Sequence, residues 1–75
     1  MALVKKLKET TLDRDVPHRE VECTYCVIHD DNGLKYLQLD TYGSAERQMP
    51  GKKSQSLRLS PQAIKQLREI LSNRF

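Results

Sequence analysis

The sequence predicts an α+β fold: an antiparallel β-sheet of three to four strands followed by one C-terminal amphipathic helix. Three observations carry this. Two alternating apolar and polar runs flank Asn32-Gly33, a pairing that tight hairpin turns favour. A third alternating run follows Pro50-Gly51. Ser60-Pro61 then opens a stretch with apolar residues at Ala63, Ile64, Leu67, Ile70 and Leu71, the spacing of one face of a helix.

Residues 1–17 are read as an N-terminal arm and 18–75 as a single domain. In the arm, Leu3, Val4 and Leu7 have a helical spacing too short to define a helix, and the polar stretch from Thr10 ends at Pro17. The arm is either mobile or adds an extended segment to the sheet. From His18 to Asp30, Val21, Cys23, Tyr25 and Val27 alternate with Glu22, Thr24 and Cys26, the pattern of a half-buried strand. A tight turn with both central residues at positive φ is expected at Asn32-Gly33. The next strand, Leu34 to Tyr42, sets Leu37, Leu39 and Thr41 against Tyr36, Gln38, Asp40 and Tyr42. One face packs; the other carries aromatic and polar groups.

Gly43 to Lys53 reads as a loop with a type II turn at Pro50-Gly51 and with Arg47, Lys52 and Lys53 around it. The third strand, Lys53 to Leu59, separates Gln55, Leu57 and Leu59 from Ser54, Ser56 and Arg58. Ser60 is placed to cap the helix and Pro61 to occupy its first position, where a missing N–H costs nothing.

At 75 residues the chain is one domain, small enough that its own core supplies only a few kcal/mol. A partner subunit is therefore expected. With 37% hydrophobic and 31% charged residues it has the composition of a folded chain. No apolar run is long enough for a membrane span or a secretory leader, so a cytoplasmic location is expected, or the nucleus in a eukaryote. The net charge of +3 is unevenly spread: residues 41–75 hold seven basic and two acidic side chains, a balance of +5, which leaves −2 for residues 1–40. Such asymmetry suits an anionic partner.

Cys23-Thr24-Tyr25-Cys26, with His18 and His29 nearby, has the composition of a zinc site. Its residues favour extended chain, however, and in a strand positions three apart face opposite ways. A redox pair would require a helix N-terminus at the cysteines. No metal and no cofactor is expected. The serines lack a companion base and three strands with one helix leave little room for a water-excluding pocket, so the chain is not expected to be an enzyme. The non-core sheet face is more informative, since Tyr36, Tyr42 and Arg58 share it, beside Arg47, Lys52 and Lys53. Rings on which bases stack, among cations that follow a phosphate backbone, are what binding of single strands requires. The alternative is that these tyrosines cover an interface and the lysines solubilise a loop.

The stretch from about Thr24 to Ile70 resembles the DNA-binding domain of the positive cofactor four transcriptional coactivators and their bacterial and phage relatives. The residues that carry the resemblance are 36–42 (YLQLDTY), 49–59 (MPGKKSQSLRL) and Ser60-Pro61-Gln62 leading into the helix. The resemblance implies a homodimer packed through its C-terminal helices, with curved sheets that bind single-stranded DNA or locally melted duplex. It assigns the basic loop to Arg47, Lys52 and Lys53, the third-strand cation to Arg58 and the second-strand aromatic to Tyr42; Tyr36 comes from the strand pattern alone. The sequence is therefore read as a non-catalytic module for single-stranded DNA or RNA with a role in transcription or DNA maintenance. A protein-interaction or regulatory subunit of the same fold is the alternative.

Overall fold

The computed structural model describes residues 1–43 and 53–75. Strands β1 (Ala2–Val4), β2 (Cys23–His29), β3 (Lys35–Tyr42) and β4 (Lys53–Leu59) precede one helix, α1 (Pro61–Arg74). They form a single sheet in the order β1-β4-β3-β2, and no described helix is long and apolar enough to cross a membrane. The fold class is the expected one, but the sheet is mixed. β2, β3 and β4 are antiparallel neighbours, whereas β1 runs parallel to β4, pairing Leu3 with Arg58.

The parallel pairing has a local cause. Ser60 N–H donates to the Val4 carbonyl at 3.0 Å and Ser60 Oγ–H to the Lys5 carbonyl at 3.4 Å, so the N-terminal segment and β4 leave the sheet together. The segment then follows the helix. Gln66 closes a reciprocal pair with the Leu7 backbone, accepting from its N–H at 2.9 Å and donating to its carbonyl at 3.2 Å. Arg74 meets Glu9 at 3.1 Å, an exposed ion pair of small energetic weight.

The β2–β3 turn also departs from expectation. Asp30 and Leu34 close a loop of three residues, and Gly33, at φ +82°, is the only described residue with positive φ. Asn32 therefore stays out of the left-handed region, where the two-residue turn would have placed it. Asp30 Oδ1 accepts from the N–H groups of Asn32 and Leu34, both at 2.9 Å, and this side-chain turn selects the longer loop.

Ser60 caps α1 as its sequence position predicts: its Oγ accepts from Ala63 N–H at 3.2 Å. Ser60→Ala should lower stability by about 1 kcal/mol in urea unfolding, the usual worth of such a cap.

Only Leu59 and Ala63 are apolar and buried among the described residues. On β3 the order is inverted: Leu37 and Leu39 are half-buried while Gln38 and Asp40 are buried. The helix covers only part of its own sheet face, and Tyr25, Val27, Leu57, Ile70 and Leu71 are left exposed. The Cα radius of gyration, 14.8 Å, exceeds the roughly 11 Å of a compact domain of this length. A single copy thus encloses very little core.

Candidate nucleic-acid interface

Residues paired across strands share a face, so the register defines the surface opposite α1. Gln38 lies between Cys26 and Arg58, and Asp40 between Thr24 and Ser56, while Tyr36 pairs with Ile28. Leu3 extends the row beyond Arg58. Strict alternation along β4 would send Lys53 to the helix side. Instead the register slips between Thr41 and Tyr42, so that Thr41 pairs with Gln55 but Tyr42 with Lys53. This bulge returns Lys53 to the open face, where its ammonium lies 3.4 Å from Asp40 Oδ2.

Four of the six residues singled out in the sequence therefore meet on one surface: Tyr36, Tyr42, Lys53 and Arg58. Arg47 and Lys52 lie outside the described residues. The tyrosines are not a joint stacking platform, because six residues of strand separate them by roughly 20 Å. They bracket the polar centre. The Tyr42 hydroxyl is 3.0 Å from Thr24 Oγ1, and the Tyr36 hydroxyl donates weakly to Asp30 Oδ2 at 3.4 Å.

Between them runs a chain of hydrogen bonds that sequence reading did not find. Arg58 donates through Nε and Nη2 to Gln38 Oε1 at 3.1 and 2.6 Å. Gln38 Nε2 donates in turn to both Asp40 oxygens, at 3.1 and 3.2 Å, and Ser56 Oγ–H donates to Asp40 Oδ1 at 2.5 Å. Asp40, only 4% exposed, thereby fixes the Gln38 amide so that its oxygen faces Arg58. The Ser56 hydroxyl first, then the Gln38 amide and the Lys53 charge, hold the Asp40 carboxyl below its ordinary 3.8, against the opposing effect of burial. Alternation had put Gln38, Asp40 and Ser56 on this side; only the cross-strand register reveals that they connect Arg58 to Lys53.

The two cations are electrostatically unequal. Lys53 faces a carboxylate, whereas Arg58 faces a neutral amide and keeps its full unit of charge. Arg58 is therefore the stronger attractor for an anion on this surface.

A group whose folded pKa is depressed stabilises the fold fully above its unfolded value, and that contribution is lost as pH falls through the folded value. Asp40→Asn should therefore lower the melting temperature at neutral pH, by an amount that shrinks as pH drops below about 3.8. Melts of both proteins from pH 7 to 2 check this; a pH-independent difference would mean that the Asp40 charge contributes nothing.

Cys23 and Cys26 are free, exposed and part of one extended strand. Cys23 pairs with Thr41 and Cys26 with Gln38, which puts the two thiols on opposite faces of the sheet. Among the described residues no cluster of three or more His, Cys, Asp or Glu side chains is arranged to hold a metal ion. Comparison of the chain with protein-family models, curated proteins and solved structures finds no match.

Proposed function

We propose that this chain is a non-catalytic module that holds single-stranded DNA or RNA along the open face of its sheet, with a role in transcription or DNA maintenance. The observation that supports this most is the convergence of Tyr36, Tyr42, Lys53 and Arg58 on one face, achieved for Lys53 by the bulge at Tyr42. Arg58 and Lys53 contact phosphates, and the tyrosines at either end each stack a base. The resemblance adds Arg47 and Lys52, which lie outside the described residues, as further phosphate contacts. The resemblance to the positive cofactor four coactivators points the same way.

The working unit in this reading is a homodimer formed through the C-terminal helix. Val27, Leu34, Leu37, Ile64, Leu67 and Leu71 line a groove between helix and sheet that one copy leaves uncovered. Leu71→Asp should then halve the mass seen by light scattering, since it breaks the helix contact alone. A protein-interaction subunit is the second reading, favoured by this same groove.

The deciding experiment is fluorescence anisotropy with labelled single-stranded and duplex oligonucleotides over a salt series. Preference for the single strand, with log affinity falling linearly in log salt, is the expected result. Absence of binding at low salt would discard the nucleic-acid function and leave the protein-interaction reading.

A further inference from the structure

β2 forms one border of the sheet, and its hydrogen-bonding phase follows from two contacts. Tyr42 N–H donates to the Glu22 carbonyl and Asp30 N–H to the Leu34 carbonyl, both at 3.0 Å. Even-numbered residues of the strand therefore bond inward to β3. The backbone groups of Cys23, Tyr25, Val27 and His29 point outward, and no described strand pairs with them.

Soluble proteins blunt such edges with short strands, charges or proline. The opposite border, β1, is three residues long. β2 has seven and carries no Lys, Arg, Asp, Glu, Gly or Pro, and Tyr25 and Val27 on it are 74% and 55% exposed. Both groups that a pairing strand needs are present: free backbone donors and acceptors, and exposed apolar side chains beside them.

We infer that β2 pairs antiparallel with β2 of a second copy of this chain, about a two-fold axis through Cys26. The register is constrained. Antiparallel partners must both point their backbone groups at each other or both away, so only odd residues oppose odd ones and even oppose even. Centring on Cys26, the middle of Cys23–His29, engages all seven residues. Tyr25 then opposes Val27 of the second copy in two hydrogen-bonded pairs, an aromatic with β-branched combination that sheets favour. The two Cys26 residues oppose each other as a non-hydrogen-bonded pair.

The product is a continuous eight-stranded sheet. Because the axis is perpendicular to it, both open faces lie on the same side, with the two β3 strands three spacings apart, about 14 Å. Two sets of Tyr36, Tyr42, Lys53 and Arg58 become one surface. Its use for nucleic acid rests on the proposed function; the pairing itself does not. Glu22 and Asp30 of the second copy face one another just beyond the strand ends, so added salt screens a repulsion and strengthens this association. Nucleic-acid binding has the opposite salt dependence.

Tyr25→Pro tests the edge selectively, because proline there removes only an outward N–H and is tolerated on that side of an edge strand. Light scattering under reducing conditions, with circular dichroism to verify folding, should give half the wild-type mass; equal masses would overturn the inference. Diamide oxidation is an independent check, in which two thiols give up two electrons and two protons to the reagent and form one disulfide. Opposed Cys26 residues have the Cα separation a disulfide requires, whereas the two Cys23 residues lie about 20 Å apart. Cys23→Ser should cross-link about tenfold or more faster than Cys26→Ser. Equal rates, or faster linkage through Cys23, would overturn the register. Leu71→Asp addresses the helix groove and oligonucleotide anisotropy the open face, so failure of the edge is separable from failure of either.

Discussion

Neutralising Lys53 and Arg58 together is expected to lower affinity for a single-stranded oligonucleotide by up to about 25-fold at ~0.1 M salt. Each phosphate contact on a single strand contributes roughly 0.7 to the slope of log affinity against log salt, so two contacts remove about 1.4 from the slope and about 1.4 log units at that concentration. The single variants should not be equal. Arg58, bonded to the neutral Gln38 oxygen, should account for most of its share, about fivefold. Lys53 is paired with Asp40 at 3.4 Å and should cost less. Neutralising Lys65 and Arg68 removes the same formal charge from α1, on the other side of the sheet, and should leave the slope nearly unchanged. Equal losses in both double variants would show that net charge, and not this face, governs binding.

The largest stability effect is expected at Leu59. It is 4% exposed, flanked by Leu37 and Val4 in the adjacent strands, and it immediately precedes the helix cap. Leu59→Ala removes the larger of two buried apolar side chains and should cost roughly 2–5 kcal/mol. At about 0.05–0.15 kcal/mol per residue, a domain of this length has only some 4–11 kcal/mol to lose. Urea unfolding should show a midpoint that moves sharply down with little change in slope. A loss below about 1 kcal/mol would mean that the stability resides elsewhere, in contacts between copies.

What could be read in the sequence divides along physical lines. The strand Lys53–Leu59 and the helix start at Pro61 were legible because alternation and a Ser-Pro cap are local signals. β1 was not, since three residues carry no period and their pairing joins positions 2–4 to 57–59. The hairpin was correctly located by Asn32-Gly33, but its length depends on the Asp30 carboxylate, which bonds two backbone amides. Tyr36, Tyr42 and Arg58 could be assigned to one face by counting. Lys53 could not, because counting along β4 gives the wrong side and only the slip against Tyr42 corrects it. The Arg58–Gln38–Asp40–Ser56 chain likewise requires the register of two strands at once.

The reciprocal Gln66–Leu7 pair sets a condition on how the chain acquires its structure. Residues 7 and 66 are 59 positions apart, and the Val4–Ser60 and Glu9–Arg74 contacts are nearly as distant or more so. During synthesis residues 4–9 have no docking site until the stretch from Ser60 to Arg74 has left the ribosome. Closure of so long a loop delays the rewarding contacts and slows folding. The β2–β3 hairpin can form early; β1 and α1 arrive together, last, each completing the binding site of the other.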